Sequence, residues 1–446
     1  MNQSIFRRIT AMMIAVIIIA GTGTGCGDSG EEFPGREPSV PQPEEPVEES
    51  GSPLFTALGD SRTANSTELS GNIFRINNGD IFAWAVMLSN GAIALADIDH
   101  GINSITTGGM MTDPRALAAT LADPAPNVVF LAGVNDYINS EYTSLPLGSD
   151  RFNKSAGNIG KILDALGEAG KRVFLLNELP RTDFDLPAAM VEHLNLLHEW
   201  CSSSNGAAKG RPWVVPVDIW SQASVNGSNQ WRPGYADDGL HPNQYGAMQL
   251  GTWLGDFLSR YIPTALWLAP GAEGELAPNP FLSGSGGTTA LGLTGSVPDN
   301  FAVSIATGFT MSTSRDKRDF IVELNGSSST GAVTVATVST TIPVAVAVDD
   351  RFDFGAEYAL DNARNIAQCY VEFSAAGVTG QAGFSSEPFP QLTPLHDMLF
   401  IRGPRTKPAK ATAASATLRF VLITKNAAGS ASARLRIRSA MVRRAE

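Results

Sequence analysis

Short apolar runs alternate with longer helical stretches between Leu54 and about Pro263. Continuous apolar runs of this length are typical of strands buried on both faces of a parallel sheet. The candidate strands are Phe55–Leu58, Ala92–Ile98, Val128–Leu131, Val173–Leu176 and Val214–Val217. The candidate helices between and after them are Pro114–Leu121, Ser155–Ala169, Pro187–Cys201 and Gln244–Phe257. This alternation predicts an α/β fold with a doubly wound parallel sheet.

The pattern changes after Trp267. Pro278 to Glu446 is rich in Gly, Ser, Thr, Ala and Val, and its apolar residues fall in short alternating runs. Those runs are Phe301–Ile305, Phe320–Leu324, Val333–Val338, Val371–Phe373, Met398–Ile401, Leu418–Ile423 and Ala433–Ile437. Several short strands separated by turn residues predict a second, all-β domain, an antiparallel sandwich.

The amino terminus has the pattern of an export signal. Arg7 and Arg8 precede the apolar run Ile9–Ala20, which ends before the roughly 20 residues that a membrane span needs. Small residues then lead to Cys26, and this resembles a bacterial lipobox in which Cys26 is lipidated, although Gly23 stands where the family usually has Leu. Ordinary secretion with cleavage near Gly25 is the alternative.

A tether follows the signal. Residues 31–53 are rich in Pro, Glu, Ser and Gly and nearly free of large apolar side chains, so they cannot bury enough surface to offset their ordering entropy. An acidic residue directly after the lipidated cysteine resembles an inner-membrane retention signal. Gly27 is not acidic, so an outer-membrane lipoprotein is expected. The predicted order is signal peptide 1–26, disordered tether 27–53, doubly wound α/β domain 54–263, linker 264–277 and β-sandwich module 278–446.

Composition excludes some classes of protein. The chain has 446 residues and a formal charge of −12, from 32 basic and 44 acidic side chains, which argues against a nucleic-acid partner. No Cys/His cluster has metal-ligand spacing and no glycine loop fits a phosphate, so neither a metal nor a cofactor is expected. Besides Cys26, only Cys201 and Cys369 remain; two buried thiols are favoured over an interdomain disulfide.

Four short segments carry candidate chemistry: Gly59–Ser61, Gly101–Ser104, Gly133–Asp136 and Asp238–Pro242. A serine hydroxyl needs an imidazole to take its proton, and the imidazole needs a carboxylate to hold its tautomer. A tetrahedral oxyanion needs hydrogen-bond donors that are already in place. The segments supply all three, and most of them directly follow predicted strands. In doubly wound sheets ligands bind beyond the carboxyl ends of the strands.

These segments resemble those of the SGNH (GDSL-type) serine hydrolases. The nucleophile segment matches Ala57–Ser61 and the second resembles Asp99–Thr107. Gly-x-Asn-Asp matches Gly133–Asp136, and Asp-x-x-His-Pro matches Asp238–Pro242, with Tyr245 and Gly246 continuing the pattern. The resemblance covers Leu54 to about Ile262 and implies a flavodoxin-like fold and carboxylic ester hydrolysis.

The resemblance also implies roles. Ser61 would be the nucleophile, His241 the general base and Asp238 its orienting carboxylate. The oxyanion would be bound by the amides of Ser61 and Ser104 and by the side chain of Asn135. On its setting alone, Ser61 could instead be a helix N-cap, and His241 a surface residue capping the final helix. Asp237 lacks the family's three-residue offset from the histidine.

Two positions depart from the family. Ser104 stands where an oxyanion glycine is usual, so its backbone must tolerate a Cβ, and Gly101 is the alternative if the alignment shifts. Arg62 replaces an aliphatic residue after the nucleophile; solvation is the favoured interpretation, and contact with an anionic part of the substrate is the alternative. Asp60 and Asp136 are expected to fix loop backbone.

The expected substrate is an acylated glycan. The segment Asn279–Gly295 loosely resembles the opening of jelly-roll modules appended to carbohydrate-active enzymes, and export also favours a carbohydrate. The module would either bind glycan or serve as a spacer. Removal of O-acetyl groups is the expected reaction, with contact to the membrane only through the lipid anchor. A general short-chain carboxylesterase or lipase is the first alternative, and a non-catalytic glycan-binding lipoprotein is the second.

Overall fold

The computed structural model describes residues 52–64, 73–75, 81–89, 92–96, 100–138, 145, 149–183, 188–262, 270–328, 334–385, 395–403, 405–425 and 429–445. The expected signal peptide, the lipidation residue Cys26 and the tether up to residue 51 lie outside the described residues. None of the helices in the described part of the chain is long and apolar enough to cross a membrane.

A parallel sheet forms the first region, as expected. The strands in this part of the chain are β1 (Leu54–Gly59), β2 (Ile73–Arg75), β3 (Ala94–Leu95), β4 (His100–Gly101), β5 (Asn127–Leu131), β6 (Arg172–Leu176) and β7 (Val214–Val217). The order is β3-β1-β5-β6-β7, β4 also pairs with β1, and every pairing is parallel. The first strand therefore lies inside the sheet with later strands on both sides, which is the flavodoxin-like doubly wound order.

Helices cover the parallel sheet. They are α1 (Ser61–Ala64), α2 (Ile81–Leu88), α3 (Thr107–Thr112), the π-helical turn Pro114–Ala118, α4 (Ala119–Ala122), α5 (Ser149–Glu168), α6 (Ala188–Ser202), α7 (Trp220–Ala223) and α8 (Gln244–Leu258). The helix expected over Pro114–Leu121 is broken, because Ala116 has non-helical φ and ψ angles of −93° and −110°.

The sequence pattern did not reveal α2. Residues 81–87 are all buried, so the helix is apolar on every side and lacks the polar face that marks an amphipathic helix. It packs against α8 at two glycines. A Cβ on Gly251 would lie 2.4 Å from the Cβ of Trp84, and one on Gly255 would lie 2.7 Å from the Ala85 carbonyl oxygen. The close approach of these helices therefore requires glycine.

Two β-sheets form the second region. Its strands are β8 (Gly286–Thr288), β9 (Leu293–Thr294), β10 (Val297–Ile305), β11 (Phe309–Asp316), β12 (Asp319–Ser328), β13 (Thr334–Ile342), β14 (Phe352–Arg364), β15 (Ile366–Ala375), β16 (Val378–Ser385), β17 (Leu395–Arg402), β18 (Ala416–Thr424) and β19 (Gly429–Arg444). The sheet orders are β2-β16-β15-β18-β13-β10-β8 and β17-β14-β19-β12-β11-β9. Buried rings of the two sheets meet, with Tyr358 edge-on to Phe420 at 5.8 Å and Phe354 stacked on Phe373 at 5.9 Å.

The expectation of wholly antiparallel strands was wrong. The pairs β8–β10, β9–β11 and β2–β16 are parallel, so the sheets are mixed. Strand β2 belongs to the sequence of the predicted first domain, yet it aligns Ile73 with Gln381 at the edge of a sandwich sheet. No local pattern specifies that pairing, because its two strands lie about three hundred residues apart in the sequence.

Cys201 and Cys369 are buried free thiols, as favoured from the sequence. Burial raises the pKa of both above the ordinary value. Neither thiol therefore has the character of a reactive thiolate.

Candidate functional site

The structure brings Ser61, His241 and Asp238 together. Ser61 is the first residue of α1, immediately beyond β1, and His241 lies in the loop before α8. The Oγ atom of Ser61 is 3.0 Å from Nε2 of His241, and Nδ1 of His241 is 2.8 Å from Oδ2 of Asp238. This chain of contacts has the connectivity that lets an imidazole take a proton from a serine hydroxyl.

A local loop holds the carboxylate of Asp238. Its Oδ1 accepts the backbone N–H groups of Leu240 at 2.8 Å and His241 at 2.7 Å, while Oδ2 faces the ring. Partial burial alone would raise the pKa of Asp238, but the hydrogen bonds from the amide and ring of His241 and from the Leu240 amide outweigh it. The pKa therefore lies below its usual value. The neighbouring Asp237 instead accepts from the Asn243 side chain at 2.8 Å.

Gly239 fixes the course of that loop. Its φ is +76°, and a Cβ there would lie 2.6 Å from the backbone nitrogen of Asp183. Its carbonyl accepts from the Thr182 amide at 2.7 Å and from Nε1 of Trp231 at 3.0 Å. Only glycine fits such a backbone, so this position anchors the segment that carries Asp238 and His241.

Asn135 and Asp136 join two loops at the same edge of the sheet. The buried Asn135 side chain donates from Nδ2 to the Ile105 carbonyl at 3.1 Å, which leaves the second hydrogen on that nitrogen for another acceptor. Asp136 accepts from the amide of Thr107 at 2.8 Å and from its hydroxyl at 2.6 Å. The loop after β5 therefore fixes the start of α3, in line with the expected backbone role of Asp136.

Ser104 and Gly101 occupy different environments. Ser104 is exposed and has a φ of +60°, the left-handed region that a glycine would enter without strain. Gly101 lies against α1, where a Cβ would be 2.3 Å from the Ala64 nitrogen. The backbone at Ser104 thus has the conformation expected where the family carries glycine, whereas Gly101 allows β4 to approach the helix that begins with Ser61.

Both sequence interpretations of Arg62 were wrong. Its side chain is fully buried, so it neither lies in solvent nor faces an approaching substrate. The guanidinium binds two carboxylates, Asp60 at 2.8 Å and Glu178 at 2.6 Å. Sequence reasoning did not single out Glu178, because nothing local signals that a residue after β6 pairs with one after β1. Asp60 also accepts the Arg62 amide, so Asp60 rather than Ser61 caps α1.

Another buried arginine, which no feature of the sequence singled out, supports the loop that carries Asn135. Arg181, also beyond β6, donates to the Val134 carbonyl at 3.3 Å and pairs with Asp183 at 2.8 Å. Its backbone amide donates to the Asn229 side chain at 2.9 Å. The loop after β6 therefore contacts the loops that carry Asn135 and, through Thr182 and Gly239, His241.

Comparisons with known proteins agree with this arrangement. Residues 57–248 match the family described as GDSL-like Lipase/Acylhydrolase family, so the resemblance named from the sequence is confirmed for this domain. A search of curated proteins found no match to the chain.

Several solved structures are similar over about half of the chain. A GDSL-like lipase from Bacteroides thetaiotaomicron is 19% identical, with 46% of this chain and 88% of that chain covered and a TM-score of 0.32. The esterase EstA from Pseudoalteromonas sp. is 14% identical, with 47% and 98% covered and a TM-score of 0.32. A variant of an acetyl-xylooligosaccharide esterase from Geobacillus Stearmophilus is 14% identical, with 50% and 98% covered and a TM-score of 0.33. None of these similarities identifies a substrate for this chain.

Proposed function

We propose that the substrate of this carboxylic ester hydrolase is an O-acyl ester of a carbohydrate, and specifically an O-acetyl ester. Residues 57–248 match the GDSL-like lipase/acylhydrolase family. The observation that carries the chemistry is the contact chain from Ser61 Oγ through His241 to Asp238, at 3.0 Å and 2.8 Å. The preference for a sugar is supported by the appended β region and by aromatic side chains beside the loop that carries His241.

Acylation begins at Ser61. The Oγ atom attacks the ester carbonyl carbon while His241 Nε2 takes the hydroxyl proton, and Asp238 stabilises the resulting imidazolium. The ester bond then breaks as Nε2 returns that proton to the departing sugar oxygen. The sugar leaves with a free hydroxyl, and the acyl group stays on Oγ as an acyl-enzyme.

Deacylation repeats the proton transfers with water. His241 Nε2 takes a proton from the attacking water and then gives it to Oγ as the acyl–Oγ bond breaks. The acid product, acetate for an acetyl ester, is released. The exposed side chain of Asp238 shows that this part of the site is open to solvent.

The oxyanion formed in each step is bound by three N–H groups: the amides of Ser61 and Ser104 and the Nδ2 group of Asn135. The buried Asn135 side chain is fixed by its bond to the Ile105 carbonyl. A donor that is already oriented stabilises developing charge without reorganising during the reaction.

Aromatic rings flank the loop of His241. Tyr245, in the first turn of α8, is 48% exposed and packs edge-on against Tyr235, with the ring centroids 5.7 Å apart. Trp231 donates to the Gly239 carbonyl in the same loop. A half-exposed tyrosine ring with a polar tip, such as that of Tyr245, suits a ligand that presents both C–H and hydroxyl groups, as a pyranose does.

A substrate panel tests the proposal. The purified protein would be assayed with an aryl acetate, with aryl esters of longer acyl chains and with acetylated polysaccharides, and Ser61→Ala would serve as the inactive control. We expect acetate release from a polysaccharide and a rate that falls as the acyl chain lengthens. A preference for long acyl chains would identify a general carboxylesterase or lipase. Failure of every ester, together with no labelling by a fluorophosphonate, would identify a non-catalytic protein.

We further propose that the protein is exported and anchored at the outer membrane through a lipid on Cys26. The basic residues, the short apolar run and the small residues before that cysteine support this location. The Pro- and Glu-rich residues that follow would hold the hydrolase away from the lipid surface.

A further inference from the structure

A buried charge network flanks the nucleophile in the sequence and connects it to the rest of the site. Arg62 Nε and Nη2 donate to the two oxygens of Asp60 at 3.1 Å and 2.8 Å. Nη1 and Nη2 donate to the two oxygens of Glu178 at 2.6 Å and 3.2 Å. All three side chains are fully buried. One planar guanidinium thus makes a two-point contact with each of two carboxylates, a geometry that lysine cannot reproduce.

Ser61 lies between two members of this network. The amide of Arg62 donates to Asp60 Oδ1 at 3.0 Å, and the amides of Thr63 and Ala64 donate to the Asp60 carbonyl at 3.0 Å and 2.8 Å. The backbone on both sides of Ser61 is therefore fixed by hydrogen bonds. These bonds hold the turn of backbone from which the Ser61 side chain and amide project.

Glu178 connects this turn to the loop that carries Asn135. It lies just beyond β6 with a φ of +104°, an uncommon conformation for a side chain with a Cβ. A Cβ added to Gly133 would lie 3.3 Å from Glu178 Oε1, so the carboxylate lies directly against the backbone of that loop. Arg62 and Glu178 therefore bridge the loops after β1, β5 and β6.

The network has more negative than positive groups. It places one positive group between two carboxylates in a fully buried location. Burial raises the pKa of Glu178 above its usual value, although Arg62 acts in the opposite direction. For Arg62, burial alone would lower the pKa, but Asp60 and then Glu178 outweigh it and the pKa is raised. Arg62 therefore stays charged, and its removal would leave two carboxylates buried without a cation.

From this geometry we propose that Arg62 and Glu178 are positioning residues for the ester hydrolysis. They hold Ser61 Oγ within reach of His241 and keep the Ser61 amide in register with Asn135. Neither side chain touches the substrate, because neither is exposed. The inference rests on the proposed function, since it concerns the orientation of the proposed nucleophile.

The test compares four variants with the wild type: Arg62→Leu, Arg62→Lys, the double variant Arg62→Leu/Glu178→Leu, and Arg402→Leu. Arg402 is a fully buried arginine of the β region, 3.6 Å from the buried carboxylate of Asp353. It serves as the matched control for loss of a buried guanidinium. Each protein is measured for its melting temperature, its rate of labelling by a fluorophosphonate, and kcat and KM for an aryl acetate. All rates are taken below the lowest melting temperature and expressed per folded molecule.

We expect Arg62→Leu and Arg62→Lys to lower the labelling rate and kcat by about 10- to 100-fold, because a small displacement of a reacting group has effects of this size. KM should stay within about twofold, since the change acts on the nucleophile and not on substrate binding. The double variant should regain part of the melting temperature lost in Arg62→Leu, because it removes one of the two carboxylates left without a cation, whereas Asp60 stays buried without its arginine. Its labelling rate should stay low, and Arg402→Leu should be labelled at the wild-type rate.

The proposal is overturned if the Arg62 variants are labelled as fast as Arg402→Leu, or if the double variant regains labelling together with stability. Either result would make the network purely structural. Failure of the proposed function has different signatures: a wild-type protein without the serine chemistry would itself resist the fluorophosphonate, and one that prefers other esters would still show the labelling differences among these variants.

Discussion

Each of the two regions contains a buried aspartate beside buried arginine, but the balance of charge is opposite. In the parallel-sheet region, one guanidinium, that of Arg62, lies between two carboxylates. In the β region, the single carboxylate of Asp353 receives three arginines, Arg402, Arg405 and Arg443. Burial, followed by its arginine neighbours, lowers the pKa of Arg402 to about 10 although Asp353 acts in the opposite direction.

The two clusters also differ in what they join. Asp353, Arg402 and Arg443 lie on β14, β17 and β19, which are adjacent strands of one sheet, and Asp353 is aligned with Arg443 across the β14–β19 pair. Arg62 and Glu178 instead join loops at the carboxyl edge of the parallel sheet. A charge cluster across paired strands stabilises a sheet that already exists, whereas one across loops sets the relative positions of groups that no sheet holds.

The largest expected effect is the loss of ester turnover when a proposed catalytic residue of the parallel-sheet region is replaced. Ser61→Ala or His241→Ala should lower ester turnover by about 10⁴-fold or more, because the two residues act as one unit. The double variant should lose little more than either single one. Steady-state kinetics on an aryl acetate measures this, with circular dichroism to verify folding. Asp237→Asn is the matched control, since Asp237 is exposed beside Asp238 but contacts Asn243. Near-normal turnover without Ser61 would contradict the proposed nucleophile.

Asn135→Ala should lower kcat by about 10²- to 10³-fold and leave KM nearly unchanged, because a single oxyanion donor acts on charge that develops in the transition state. Ser61 should still react with a fluorophosphonate in this variant. If labelling and folding are lost together, Asn135 is a structural link to Ile105 and not an oxyanion donor.

The opposite pKa directions of the two clusters predict opposite responses to pH. Asp353 has a lowered pKa: burial alone would raise it, but Arg402 and then Arg405 and Arg443 outweigh burial. Its contribution to stability is present above the unfolded value near 3.8 and is lost as pH falls through the lower folded pKa. Glu178 has a raised pKa, so its contribution is complete below the unfolded value near 4.5 and is lost as pH rises through the folded pKa.

Melting temperature as a function of pH separates the two. Asp353→Asn should flatten the acid side of the curve, and Glu178→Gln should flatten the decline above about pH 4.5, because each of these carboxyl groups binds its proton with different affinity in the folded and unfolded chain. Identical pH profiles for the two variants and the wild type would show that neither cluster controls the pH dependence of stability.

Ser104→Gly should stabilise the protein by about 0.5–1 kcal/mol, because glycine relieves the left-handed backbone strain but gains entropy in the unfolded chain. Turnover should be nearly unchanged, since the backbone N–H is retained. Denaturant unfolding followed by kinetics checks both. A large fall in kcat would show that the Ser104 side chain, and not only its amide, acts in the reaction.

The smallest effect on activity is expected at the amino terminus, far from either cluster in the sequence. Cys26→Ser should abolish membrane association and leave specific activity unchanged. Limited proteolysis within residues 31–53 should release an active fragment that begins near Leu54 and needs no detergent, because those residues have little apolar surface to pack. Fractionation of cells that express both forms measures the first effect. If Cys26→Ser still partitions with membranes, another surface carries the attachment.

The sequence by itself determined the parallel sheet and the residues that come together at its edge. The length and spacing of short apolar runs are local properties of the sequence, and they identify the strands. The carboxyl ends of parallel strands necessarily share one edge of the sheet. The contact between Asp238 and His241 was equally predictable, because the resemblance pairs them and the two residues lie only three positions apart in one segment.

Only the tertiary structure decided what surrounds the nucleophile and how the β region is built. The second carboxylate partner of Arg62, Glu178, is 116 residues away in the sequence, and no local pattern specifies it. The pairing of β2 with β16 and the burial of the uniformly apolar helix α2 likewise depend on parts of the chain that are distant in the sequence. Such contacts depend on which surfaces the folded chain brings together. Arg62 therefore looks like a solvated side chain in the sequence and is a buried link beside Ser61 in the fold.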